Sequence, residues 1–259
     1  MSEFVKAMIL AIVQGLTEWL PVSSSGHLVL FEKLLNYPGT LMFDVALHFG
    51  TLMAVFVYFG GDIVDIAREF ISGKWKSENG KLAWMLIIGS IPAAVIGFAF
   101  KKYFEIAFTS LVIVAFGFAI TGVVLLIASL DFKGKRNIGN FGFKNAFLVG
   151  CAQAIAIFPG ISRSGSTISS GLVLGLKERD AIKFSFLLSI PAIFGVAILE
   201  IVNNPLPKEL IWATLMSFAV GLVTIHLLLN YVLTSKKNLR WFAIYVLALA
   251  IALFVNLFL

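Results

Sequence analysis

The chain has 259 residues, of which 59% are hydrophobic and only 13% are charged. Soluble domains carry about 25% charged residues, so this composition excludes an ordinary soluble protein. A mean hydropathy of +0.97 and recurring apolar runs predict an all-α, multi-span integral membrane protein. The single cysteine, Cys151, excludes an internal disulfide and a cysteine-rich metal site. The net charge of +6 is explained by Lys and Arg in cytoplasmic loops, so no nucleic-acid partner is expected.

The first two apolar runs are too short to cross a membrane. Val5–Leu20 ends at Pro21, and Leu28–Leu35 is shorter still. A helix rises 1.5 Å per residue, and the hydrocarbon core is about 30 Å thick. The polar Pro/Ser/Gly segment between the runs therefore predicts a re-entrant helical hairpin, which needs protein or a water-filled cavity around it.

Three full spans follow, and the same order then repeats. The pattern predicts six transmembrane helices and two re-entrant hairpins in one membrane domain, 1–259. A first repeat covers 1–130, a cytoplasmic linker covers 131–144, and a second repeat covers 145–259. The predicted elements after the first hairpin are spans at Leu41–Phe59, Leu82–Phe100 and Ser110–Leu130, a second hairpin formed by Ala146–Phe158 and Thr167–Leu176, and spans at Ala181–Val202, Leu210–Leu233 and Trp241–Phe258.

The spacing of polar residues supports a repeat. Gln14 precedes Gly26 by the same twelve positions that separate Gln153 from Gly165. An odd number of spans in each half makes the repeat inverted. With the N-terminus outside, fourteen lysines and arginines lie on the cytoplasmic side and five outside, as the positive-inside rule requires. We therefore expect both termini outside and the two hairpins meeting near mid-membrane, as in inverted-repeat transporters.

Arg163 stands at the turn of the second predicted hairpin, flanked by hydroxyl side chains. Guanidinium groups bind phosphate through a planar fork of donors, and helix N-termini attract anions. The sequence therefore predicts a phosphate site here, although a structural arginine that caps backbone carbonyls is the alternative. The flanking hydroxyls expected to contact substrate are Ser162, Ser164 and Thr167.

Glu18 and Gln14 lie one helical turn apart on the first apolar run. A carboxylate inside a membrane is costly and is a functional candidate. Glu18 could transfer a proton or ligate a hard divalent cation, and Gln14 could hold a substrate oxygen. The alternative for both is polar contact between helices.

His27 directly follows three serines and a glycine. A histidine that takes a proton from a serine makes that serine a nucleophile. Ser24 is the central candidate, Ser23 the next, and Ser25 a further substrate contact. A water positioned by Glu18 is the alternative nucleophile. The alternative for each serine is helix capping.

Other polar residues give weaker signals. Asp44 and His48 are four apart on one face of the first span, where they could support the site or bind a cation. An aspartate at a helix start with a histidine at the interface is the alternative. Four tryptophans near predicted span ends or turns fit an aromatic belt: Trp19, Trp84, Trp212 and Trp241.

The segments QGLTEWLPVSSSGH (Gln14–His27) and FPGISRSGST (Phe158–Thr167) resemble the two signatures of the undecaprenyl-diphosphate phosphatases of the bacitracin-resistance type. The resemblance covers essentially the whole chain. It implies a plasma-membrane enzyme that hydrolyses undecaprenyl diphosphate to the monophosphate, recycles the lipid carrier of cell-wall synthesis and confers bacitracin resistance. By position, Glu18, Ser24, His27 and Arg163 match the family's catalytic residues.

The resemblance also implies a site that faces outward and a divalent cation, Mg²⁺ or Ca²⁺, for which Glu18 is the candidate ligand. The expected partners are a polyprenyl diphosphate and membrane lipids, and a homodimer is left open.

Three other interpretations compete with this one. The acid-phosphatase-like lipid phosphatases need a histidine five residues beyond the arginine, where this chain has Ile168. A transporter or flippase for a phosphorylated lipid would use the same inverted repeat and the same arginine. A helical scaffold held by polar contacts would not explain an arginine and a histidine at two matched turns.

Overall fold

The computed structural model of the chain describes residues 1–130, 134–203, 207, 210–232 and 235–258. Two lysines of the charge count, Lys133 and Lys208, and part of the linker fall outside these ranges. The described residues form twelve α-helices and no named strand. They are α1 Glu3–Thr17, α2 Ser24–Leu35, α3 Leu41–Tyr58, α4 Gly60–Ile71, α5 Glu78–Ala99, α6 Lys101–Phe108, α7 Leu111–Ala128, α8 Phe143–Ile155, α9 Arg163–Val173, α10 Glu178–Asn203, α11 Ile211–Leu227 and α12 Leu239–Phe258.

Six of the described helices are long and apolar enough to cross a membrane, which confirms the predicted number of spans. The candidate spans are Leu41–Tyr58, Glu78–Ala99, Leu111–Ala128, Glu178–Ile198, Ile211–Val232 and Lys236–Leu257. Large apolar side chains on these helices point outward, among them Val95, Phe116 and Val223. Such a face is stable where lipid rather than water surrounds it.

Two short amphipathic helices were not predicted. Helix α4 follows the first span, and α6, which begins at Lys101, lies between the second and third spans. Both carry charged residues beside apolar ones, and a helix of this composition is amphipathic rather than spanning. Long apolar runs, which predict spans, do not reveal such helices.

The two predicted turns are tight connections between short helices. Residues 18–23 join α1 to α2, and residues 156–162 join α8 to α9. Each of these segments, together with the first turn of the helix that follows it, is called the first or the second elbow. Ser23 caps α2 by accepting a hydrogen bond from the Gly26 N–H at 3.3 Å. Ser162 caps α9 in the same way, with Gly165 as donor at 3.0 Å. This cap starts α9 at Arg163, four residues before the predicted Thr167.

The elbows pack against each other at the centre of the protein. The Ser164 hydroxyl donates to the Leu20 carbonyl across the elbows at 3.0 Å. Helix α7 supports the second elbow, because Thr121 Oγ1 donates to the Gly160 carbonyl and accepts from the Ser162 N–H, both at 2.9 Å. Helices α3 and α10 pack together, as do α7 and α12.

Candidate active site

Glu18 is the residue on which side chains from both elbows converge. It is 6% exposed. Arg163 Nη2 donates to its Oε1 at 2.5 Å, across 145 positions of sequence. Ser24 Oγ donates to Oε2 at 2.6 Å, and Gln14 Nε2 donates to the same oxygen at 3.0 Å. Each of these donors favours the ionised carboxylate, so Glu18 is a charged acceptor beside a serine hydroxyl.

His48 is closer to the site than the sequence indicated. Its Nε2 lies 3.5 Å from Glu18 Oε2, and its Nδ1 lies 2.8 Å from the Asp44 carbonyl oxygen. The Asp44 carboxylate lies beside Glu32 instead. Of the two residues that were expected to support the site together, only His48 places its side chain beside Glu18.

Arg163 contacts three neighbours and keeps unused hydrogen-bond donors. Nη1 donates to the Ser185 carbonyl at 3.5 Å, and the guanidinium lies 5.4 Å from the centre of the Trp19 ring. These contacts and the Glu18 pair engage two of its five N–H donors among the described residues. The side chain is 16% exposed.

Trp19 was predicted for an aromatic belt, and this prediction is wrong. Its side chain is completely buried, under Arg163 and against Phe186, with ring centres 4.8 Å apart. The turn that ends α1 points inward rather than toward the membrane interface, so the ring packs in the core.

His27 does not contact the Ser24 hydroxyl. Its Nδ1 lies 2.7 Å from the Ser23 carbonyl oxygen, and its Nε2 lies 2.8 Å from the Tyr245 hydroxyl. Helix α2 places His27 one turn after Ser23, which brings the ring over that carbonyl. The hypothesis that His27 takes the Ser24 proton directly is therefore corrected: the acceptor beside Ser24 is Glu18.

The remaining predicted hydroxyls have structural partners. Ser23 and Ser25 lie 3.3 Å apart between hydroxyl oxygens, and Ser162 and Ser164 lie 3.2 Å apart in the matching places of the second elbow. The Thr167 hydroxyl donates to the Arg163 carbonyl at 2.8 Å and is 1% exposed. Thr167 supports the turn that carries Arg163 and does not face the open side of the guanidinium.

Sequence reasoning missed three residues that shape the site: Thr121, Ser185 and Tyr245. Ser185 lies on α10, where its hydroxyl is 2.6 Å from that of Thr167. Each of the three is a polar residue on a predominantly apolar span. Polar residues in such spans are the signal by which the sequence could have indicated them. Such residues usually bind neighbouring helices, so the pattern alone does not separate them from ordinary helix contacts.

The residues around Glu18 can be compared with the ligands that the expected divalent cation needs. The described residues contain no group of three or more His, Cys, Asp or Glu side chains placed to hold a metal. Glu18 and the buried, unpaired Oε1 of Gln14 offer oxygen ligands at the first elbow. Mg²⁺ commonly takes one or two carboxylates together with substrate phosphate oxygens. These residues fit a cation that shares the substrate's oxygens, but not an all-protein cage.

Comparisons with known proteins show the family of the chain. The family model described as bacitracin resistance protein BacA matches residues 7–252. An undecaprenyl-diphosphatase of Korarchaeum cryptofilum is 42% identical, covering 97% of this chain and 98% of the relative. Those of Thermosipho melanesiensis and Caldicellulosiruptor bescii are 39% and 41% identical, covering 96% and 93% of this chain and 97% and 92% of the relatives. The chain therefore belongs to the bacitracin resistance protein BacA family.

Proposed function

We propose that this protein is an integral-membrane undecaprenyl-diphosphatase. It hydrolyses undecaprenyl diphosphate to undecaprenyl phosphate and inorganic phosphate, which recycles the lipid carrier and confers bacitracin resistance. The observation that carries the proposal is the convergence of Arg163 and Ser24 on Glu18 from two separate elbows. This convergence supports the roles of Arg163 as the anion-binding group, Ser24 as the nucleophile and Glu18 as the base.

Arg163 binds the diphosphate in this proposal. Three of its five N–H donors have no partner among the described residues, and its position at the first residue of α9 adds the favourable helix N-terminus. Phosphoryl transfer needs little covalent chemistry from the protein and depends mainly on positioning and charge stabilisation. A fixed guanidinium at the terminal phosphate supplies both.

Ser24 is the proposed nucleophile. Its oxygen attacks the terminal phosphorus while Glu18 accepts the hydroxyl proton. An Oγ–P bond forms, the bond from phosphorus to the bridging oxygen breaks, and undecaprenyl phosphate leaves. Water then cleaves the phosphoserine and releases phosphate. Ser23 is less suited to this role, because its hydroxyl caps α2 and its next neighbour is Ser25 rather than a base.

Glu18 and Gln14 would hold a divalent cation, Mg²⁺ or Ca²⁺, together with oxygens of the substrate. When bound, the cation neutralises charge that develops on the diphosphate. Arg163 and Ser24 keep the roles given above.

The membrane arrangement is also part of the proposal. Helices α1, α2, α8 and α9 have 15, 12, 13 and 11 residues, too few for a core of about 30 Å, which supports two re-entrant hairpins. Helix α1 packs on α11 as α8 packs on α5, a mirrored pairing that supports an inverted repeat. The charge distribution along the sequence supports both termini outside, and the resemblance to the family supports a plasma-membrane site that faces outward. The isoprenoid tail lies between spans, in the bilayer.

Phosphate release in detergent separates this enzyme from a carrier, because transport cannot occur without a closed bilayer. Purified protein is incubated with undecaprenyl diphosphate, with Mg²⁺ or with a chelator. We expect stoichiometric phosphate and undecaprenyl monophosphate, and less of both with chelator. Binding without release from folded protein in the presence of Mg²⁺ would overturn the phosphatase and favour a flippase. Light scattering on the same sample tests the homodimer.

A further inference from the structure

Tyr245 lies in the apolar central part of α12, and its hydroxyl reaches the first elbow. The hydroxyl lies 2.8 Å from His27 Nε2, across 218 positions of sequence. The two rings are nearly parallel, at 16° with centres 5.7 Å apart, and Phe118 meets the other side of the imidazole edge-on at 5.3 Å. His27 is 3% exposed, so its orientation is set by these neighbours.

The hydrogen-bond partners determine which nitrogen of His27 carries the proton. A carbonyl oxygen only accepts, so Nδ1, at 2.7 Å from the Ser23 carbonyl, is the N–H donor. Nε2 then holds the lone pair and accepts from the Tyr245 O–H. Tyr245 thus completes a chain from α12 through His27 to the backbone of Ser23.

The backbone at Ser23 needs such support. Its φ of +68° lies in the left-handed region, which is unfavourable for a residue with a side chain. Ser24, which follows immediately, carries the hydroxyl bonded to Glu18. A small change at Ser23 therefore moves the reacting oxygen, and errors near 1 Å in such geometry lower rates strongly.

We propose that Tyr245 is a positioning residue for catalysis: by donating to His27 Nε2 it holds the imidazole against the Ser23 carbonyl and so places Ser24 against Glu18. The kinetic part rests on the proposed function of Ser24 and Glu18. The hydrogen-bond part rests on the geometry of His27 alone. A tyrosine that only packs against His27 would be replaced by phenylalanine without consequence, because the ring would remain.

The first test is spectroscopic and independent of turnover. The chain has three histidines, so ¹⁵N-histidine labelling gives few signals, and His226→Gln and His48→Gln identify His27 by elimination. We expect one neutral Nδ1–H tautomer in the wild type. In Tyr245→Phe we expect a shifted Nε2 signal, because the Nε2 lone pair loses its O–H donor while Nδ1–H keeps the Ser23 carbonyl. An unchanged His27 signal in Tyr245→Phe would overturn the proposal.

The second test compares kcat with KM for undecaprenyl diphosphate. Tyr245→Phe should lower kcat about tenfold, equivalent to about 1.4 kcal/mol, with KM within about twofold. Tyr103→Phe, on the exposed side of α6, is the matched control and should keep both constants. A wild-type kcat in Tyr245→Phe would overturn the positioning role. An inactive wild type would instead count against the proposed function. The His27 spectrum would then still test the hydrogen bond from Tyr245.

Discussion

Replacing Arg163 by methionine should destabilise the protein, and a second replacement, Glu18→Gln, should restore part of the loss. The two side chains are only 16% and 5% exposed, so the ion pair is largely removed from water. Arg163→Met leaves a buried carboxylate without its cation. Glu18→Gln in the same chain removes that unpaired charge.

The expected size follows from the geometry. With charge centres about 4 Å apart and an effective dielectric constant of about 20, the gross attraction is about 4 kcal/mol. Removing one partner of a buried pair costs about 3–5 kcal/mol. Because Gln14 and Ser24 still donate to Glu18, we expect the lower end, about 3 kcal/mol. At about 2–4 °C for each kcal/mol, the Tm of Arg163→Met should fall by about 6–12 °C.

Differential scanning calorimetry in one detergent measures the wild type, both single variants and the double variant. The four proteins form a double-mutant cycle, and we expect a coupling energy of about 1–3 kcal/mol between the two sites. The Tm of the double variant should exceed that of Arg163→Met, because it no longer contains the unpaired carboxylate. Arg68→Met, on the exposed part of α4, is the matched control and should change Tm by no more than about 2 °C. Losses that add within about 0.5 kcal/mol would refute the pairing.

Three further predictions concern the elbows. Ser24→Ala should lower kcat by at least about a hundredfold, since Ser24 is the hydroxyl on the Glu18 base, whereas Ser25→Ala should stay within a few-fold; equal rates in both would contradict the Ser24 role. Gly117→Ala would place a methyl group against the backbone of the second elbow and should lower Tm by several degrees, whereas Gly61→Ala, with open space around it, should not; calorimetry that ranks them in reverse would count against the close approach. Thr121→Val removes two hydrogen bonds to the second elbow and should cost about 1–3 kcal/mol, measured by the same calorimetry, and an unchanged Tm would argue against that support.

The spans and the central site residues could be predicted from the sequence because their physical causes are local. Long apolar helices have a length set by the bilayer, so their number could be read directly. Glu18 and Arg163 are ionisable groups inside apolar surroundings, and few positions in a membrane tolerate such groups. The capping serines are local features, because Ser23 and Ser162 bond the N–H three residues later.

Contacts between distant helices could not be read in this way. Nothing near Tyr245 in the sequence indicates that its hydroxyl reaches His27. His48 and Asp44 share a helix face, yet only the angle of α3 against the first elbow decides which side chain meets Glu18. The predicted His27–Ser24 pair followed their closeness in sequence, but the α2 backbone takes Nδ1 to the Ser23 carbonyl.

The most direct test of the central claim is the single-turnover release of phosphate from undecaprenyl diphosphate by wild type, Glu18→Gln and Arg163→Lys. Arg163→Lys keeps the positive charge but loses the planar fork. We expect the wild type to release one phosphate per lipid and both folded variants to fall to the background rate. Wild-type release in either variant would contradict a catalytic site built from both elbows.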